Sequence, residues 1–150
     1  MKLVVVLTAH PARLGVKLDT NGSNSNMIEA LLRDGMVDCI AMDVKAPLDE
    51  VSYARLTGGA VDLTAIRRSI RLIGSNSVEA IFRMTVVPTL ITEEDICRVA
   101  RAIAPAQKLV LQQFSPKTTL DLSLRSLVPW SPARLEEAQG KVNEIIQAET

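Results

Sequence analysis

The run Cys39–Ile40–Ala41–Met42–Asp43–Val44–Lys45 constrains the fold of this chain more than any other stretch. In an extended strand, successive side chains face opposite sides. Ile40, Met42 and Val44 therefore share one face, while Ala41, Asp43 and Lys45 share the other. Bulky apolar groups opposite a small residue, an acid and a base do not suit the middle of a plain sandwich. They suit a barrel strand whose apolar side lies under helices and whose polar side lines a cavity. The charges fall at the C-terminal end of the strand, where barrel enzymes hold their ligands. The pattern recurs. Val16-Lys17-Leu18-Asp19-Thr20 ends with an acid opposite Val16 and Leu18, and in Ile81–Val86 the residues Arg83 and Thr85 oppose Phe82, Met84 and Val86. Three strands thus send charged groups toward one place.

Strand and helix signals alternate along the chain. Asn21–Asn24 is a turn and helix cap, and Met27, Ile28, Leu31 and Leu32 form an apolar helical stripe that Gly35 ends. The Asp43 strand breaks at Pro47, and a loose segment through Gly58-Gly59 leads to Asp62, an expected N-cap. Leu63, Ile66, Ile70 and Ile73 give the next stripe, closed by Gly74. After the Arg83 strand, Thr92 and Asp95 have the spacing of a capping box, with Ile91 set to staple onto Ile96 and Pro105 as the stop. Lys108–Phe114 is a fourth strand, and Ser131-Pro132 opens a last helix that tolerates Gly140 at a cost of about 1 kcal/mol. Strands separated by helices imply parallel βαβ units with right-handed crossovers, hence an α/β fold: a partial (β/α) barrel of about four parallel βα units.

At 150 residues and 47% hydrophobic content, the chain can bury one core as one domain, assigned here to residues 15–150. Seventeen basic and seventeen acidic residues cancel, so no overall field draws it to nucleic acid or to an anionic membrane. The apolar run Leu3–Leu7 is too short to span a bilayer and lacks a signal-peptide cleavage pattern, which points to a cytoplasmic protein. Cys39 and Cys97 make neither a disulfide framework nor a metal knuckle and are read as small apolar residues. Residues 1–14 are poorly assigned. Leu3–Leu7 has the β-branched content of a strand, but His10-Pro11 favours a break. His10, the only histidine, is read as a turn residue rather than a base.

The segments Lys17–Gly22, Ile40–Pro47, Arg83–Pro88 and Leu111–Phe114 resemble, in order, those of the activating proteins of anaerobic ribonucleoside-triphosphate reductase. More distantly they resemble the pyruvate formate-lyase activating enzymes. Both are radical S-adenosylmethionine (SAM) enzymes, and the resemblance runs from about Gly15 to the C-terminus. It implies a partial (β/α) barrel, a [4Fe–4S] cluster that reduces SAM, and hydrogen abstraction from a glycine of a partner glycyl-radical enzyme, such as the anaerobic ribonucleotide reductase. It also implies that the segment before Gly15 is helical, so residues 1–14 are expected to form an imperfect helix or an irregular lead-in.

The family's Cys-x-x-x-Cys-x-x-Cys loop and Gly-Gly-Glu-Pro motif are absent from this sequence. Three thiolates are needed to hold such a cluster with one iron open to SAM, and the chain has two cysteines. The chain is therefore expected to be the C-terminal part of such a barrel, unable to bind the cluster or to cleave SAM alone. By the resemblance, Lys45 and Arg83 approach the SAM carboxylate, as a point charge and a planar fork respectively. Asp43, Thr20 and Asn21 lie beside them as cofactor-binding candidates. Asp19, Thr20 and Asp43, with the carbonyl of Ala41, match positions around a monovalent cation, for which oxygen ligands are suited. Where the pyruvate formate-lyase branch places a histidine, this chain has Gln112-Gln113.

Plainer readings stand beside these. Asp43–Lys45 or Asp19–Arg83 pairs can be polar filling of a barrel interior. Arg67, Arg68 and Arg71 fall on a solvated helix face, and Trp130 is a packing anchor. Two function classes follow: part of a glycyl-radical activase, completed by a complementing chain or a longer reading frame, or a non-catalytic remnant that binds SAM or a protein. Without the preceding strands, the edge near Gly15 is expected to be unpaired and to invite self-association.

Overall fold

The computed structural model describes residues 4–10, 13–104, 108–119 and 121–149, with side-chain detail from residue 15 onward. The elements run β1 (Val4–His10), β2 (Arg13–Thr20), α1 (Ser25–Arg33), β3 (Cys39–Asp43), α2 (Glu50–Thr57), α3 (Leu63–Gly74), β4 (Glu79–Val86), α4 (Glu93–Ala102), β5 (Leu109–Gln113), a 3₁₀ turn (Leu122–Ser126) and α5 (Pro132–Ala148). They build a single five-stranded sheet in the order β1-β2-β3-β4-β5. Strands β2 to β5 are mutually parallel, as expected. Because the strand order never reverses, every crossover must return on the same side of the sheet.

The side chains agree. Leu18, Ile40, Met42, Val44, Phe82, Met84, Val86, Leu109 and Leu111 share one core with Ile28 of α1, Tyr53 of α2, Ile66 and Ile73 of α3, Ile96 and Val99 of α4, and Val142 of α5. All five helices among the described residues thus lie against one sheet face. The strict alternation of β4, where Ala80, Phe82, Met84 and Val86 are buried between half-exposed neighbours, is the clearest expression of this. The opposite face carries Asp19, Ala41, Asp43, Arg83 and Thr85.

Two expectations are corrected. Segment 4–10 is neither helical nor irregular: it is a strand, paired antiparallel to β2 from Val4↔Asp19 to His10↔Arg13. The β-branched run Val4-Val5-Val6 favours extension, and β2 offers it a free edge. The edge near Gly15 is therefore covered, with Gly15 opposite Thr8. The stretch after Pro47 is not loose either. Asp49 caps α2 by accepting from the Ser52 N–H at 2.8 Å, and Gly58, at φ 75°, ends it in the left-handed region. Only Tyr53 of this helix is buried, so it carries no apolar stripe by which it could be recognised.

The remaining signals hold. The Thr92–Asp95 capping box is complete, and Ile91 and Ile96 are both buried. Asp62 caps α3 and Ser131 caps α5. The expected stop at Pro105 lies outside the described residues. Arg71 is exposed, as a solvated face requires, but its neighbours are not idle. Arg67 donates to the Leu48 carbonyl, and Arg68 pairs with Glu29 at 2.7 Å and with Asn26, tying α3 to the β3–α2 loop and to α1. Trp130 is buried, with the Arg134 guanidinium 3.9 Å from its ring centre.

Candidate functional site at the strand ends

Parallel register places Asp19 beside Ala41 and Asp43 beside Arg83, so the ends of β2, β3 and β4 meet on the face away from the helices. There Arg83 bridges both acids: its Nη1 lies 2.6 Å from Asp19 Oδ1 and its Nε donates to Asp43 Oδ1 at 2.9 Å. The second Asp43 oxygen accepts from Lys45 Nζ at 3.2 Å. The four charges cancel within the cluster. Exposure rises through it, from 19% and 22% for the Asp19 and Arg83 side chains to 40% for Lys45. Burial works against the Arg83 charge, but Asp43 and then Asp19 outweigh it and hold the guanidinium's pKa above its ordinary value.

Lys45 is positioned from behind. Its backbone N–H donates to the Tyr53 hydroxyl at 3.3 Å. Burial, assisted by nearby Asp43, raises the Tyr53 pKa in spite of that hydrogen bond, so the phenol stays neutral. At the end of β2, Thr20 is buried and its Oγ1 accepts from the Gly22 N–H at 3.1 Å. Asn21 Oδ1 accepts from the Ser23 N–H and hydroxyl. Both residues thus build the β2–α1 turn. Gly22 is required in it: φ is +74°, a side chain there would strike Met42, and its carbonyl accepts from Ser69 Oγ at 2.7 Å.

Lys45 opens onto a cleft of about 640 Å³ whose lining also includes Arg55, Thr85, Gln112, Gln113 and Asp121. Arg55 bridges to the Leu90 carbonyl at 2.7 Å, and Gln113 donates to the Trp130 carbonyl at 2.6 Å. Sequence reasoning named Lys45, Thr85 and the glutamine pair, but missed Tyr53 and Arg55, which sit on the unrecognised helix α2, and the polar stretch leading to Asp121. Chemically the cleft offers cationic and neutral hydrogen-bond donors around the Lys45 ammonium, with the Asp121 carboxylate also in its lining, a setting for a small zwitterion. Lys45 has three donor protons, of which Asp43 needs one.

Cys39, on β3, and Cys97, on α4, are both half-buried free thiols. Burial, followed by the charge of Glu79, pushes the Cys39 thiol above its ordinary value. Among the described residues no group of three His, Cys, Asp or Glu side chains could hold a metal ion. No described helix is long and apolar enough to cross a membrane.

Fold and site together define an α/β chain with helices on one sheet face and a charged cluster at the C-terminal strand ends. No family model matches it. It is 34% identical over 115 residues, 75% of its length, to a curated protein of Methanocaldococcus jannaschii named "Putative glycyl-radical enzyme activating enzyme MJ1227". The chain spans about half (48%) of the length of that relative.

Proposed function

We propose that this chain forms the C-terminal βα portion of a glycyl-radical enzyme activating protein of the radical SAM type. The reading rests chiefly on the cluster Asp19–Arg83–Asp43–Lys45, since a sheet that needed only packing would not draw charges from three successive strands to one rim. The similarity to the archaeal protein supports the same general role.

In this reading the cleft takes the amino-acid end of SAM. The donor set fits: the exposed ammonium of Lys45 meets the carboxylate, while Arg83, neutralised by two acids, fixes Asp43 and through it Lys45. SAM supplies the hydrogen-abstracting chemistry of the family when bound; the chain's own part is to hold and orient it. Thr20 and Asn21 shape the adjoining turn. A monovalent cation at Asp19, Thr20 and Asp43 would have to compete with the Arg83 guanidinium for both carboxylates. A [4Fe–4S] cluster does not fit, because the thiols stand on separate elements and number two where three are needed. Reductive SAM cleavage therefore requires residues from elsewhere, on a preceding segment or on a second chain, and the substrate is a glycyl-radical enzyme such as an anaerobic ribonucleotide reductase.

The experiment is equilibrium dialysis of labelled SAM against this chain combined with the segment of the archaeal relative that lies outside the aligned region. Lys45→Ala leaves Arg83 paired with both acids and should still fold. It is expected to weaken SAM binding by about tenfold, the loss of one charge-assisted hydrogen bond. Unchanged affinity would remove Lys45 from the site.

A further inference from the structure

Strand β5 is the end of the sheet, and an edge of this kind normally offers unpaired backbone groups to any other strand. Here one side chain meets it. Gln139, on α5, accepts from the Leu111 N–H at 2.8 Å through Oε1 and donates to the Leu109 carbonyl at 2.8 Å through Nε2. These two backbone groups flank Val110, whose own residue is paired inward with Arg83 of β4. In a parallel ladder, a neighbouring strand would satisfy that same N–H and carbonyl with the N–H and carbonyl of a single residue. The Gln139 amide presents one donor and one acceptor in their place. The Leu111 N–H can only donate and the Leu109 carbonyl can only accept, which fixes which end of the amide is nitrogen. Its other Nε2 proton goes to Asn143 Oδ1, one helical turn along, at 3.0 Å.

The helix is anchored independently of this contact. Ala138, Val142 and Ile146 of α5 are buried, Ser131 caps its start, and Arg134 and Lys141 both pair with Glu93 of α4. Gln139 is therefore held against β5 by the core and the ion pairs on either side of it.

We propose that Gln139 acts as a one-residue surrogate strand that closes the β5 edge to β-sheet extension, and that the partner it excludes is the β5 edge of a second copy of this chain. The paired edges would run antiparallel about a two-fold axis, the commonest closed arrangement for a homodimer. The inference stands apart from the functional reading above, because it involves none of the strand-end charges.

The test compares the full-length protein with Gln139→Ala and Gln139→Glu by amide hydrogen exchange and sedimentation velocity. Gln139→Ala should lose about tenfold of the protection of the Leu111 amide at low concentration, as expected for one hydrogen bond. It should recover that protection as concentration rises and a dimer appears. Gln139→Glu keeps an acceptor for the Leu111 N–H but sets a carboxylate oxygen against the Leu109 carbonyl. It should therefore retain part of that protection while remaining no more associated than the wild type, since its charge also repels a second copy. Unchanged Leu111 protection in Gln139→Ala would overturn the proposal. So would lost protection with no added dimer at any concentration, or equal association by both variants.

Discussion

Arg83 carries most of what a single residue decides in this molecule. It links the ends of three strands by two short ion pairs, each less than a third exposed. Replacing it with methionine keeps much of the side-chain volume but leaves two carboxylates on adjacent strands without their common partner. Because both remain in contact with solvent, the expected loss is about 1–2 kcal/mol, less than for a fully buried pair, measured by urea denaturation. A gain in stability would mean that the cluster is sustained for binding alone. Tyr53 makes a separate prediction. The folded protein holds the phenol proton more tightly than the unfolded chain does, so this contribution is complete below the unfolded value of about 10 and is lost as pH rises through the higher folded one. Stability followed from pH 9 to 11 should therefore fall more steeply for the wild type than for Tyr53→Phe. Parallel curves would mean that the hydroxyl is not buried as described.

At the scale of elements, α2 shows what a short helix needs when packing supplies little. One buried side chain, Tyr53, holds it to the core, so its cap carries an unusual share of its stability. Asp49→Ala should cost about 1 kcal/mol. Hydrogen bonds from the Ser52 backbone and side chain, with Arg98 nearby, hold the Asp49 carboxyl below its ordinary value. The stabilisation is thus present above the unfolded carboxylate pKa and is lost as pH falls through the folded one, so the variant and the wild type should converge in acid. Thermal melts at pH 7 and pH 3 check both statements. The same helix marks where the sequence was hard to read. α1, α3 and α4 announced themselves through apolar stripes and caps, and β3 and β4 through alternation. By contrast, α2 showed an N-cap, a C-terminal glycine and no stripe, and β1 showed β-branched residues that a family expectation overrode. The charged half of the site was legible because period-two alternation sorts Asp19, Asp43 and Arg83 onto one face. Tyr53 and Arg55 were not, since their approach to Lys45 and to the cleft depends on how a helix packs rather than on local spacing.

For the molecule as a whole, the sheet presents one face wholly to helices and the other to a polar cluster and cleft. Its two ends are β1, which covers the edge of β2, and β5, whose outward backbone groups Gln139 meets. The proposed chemistry needs a set of three cluster-binding thiols, which Cys39 and Cys97, on separate elements, do not supply. The most direct measurement of the central claim is formation of 5′-deoxyadenosine after anaerobic reconstitution with iron and sulfide. It would compare this chain alone, the unaligned segment of the archaeal relative alone, and the two together under reducing conditions. The account predicts product only from the combination, and a rate lowered by Lys45→Ala in this chain. Product from this chain alone, or a combined rate indifferent to that substitution, would contradict it.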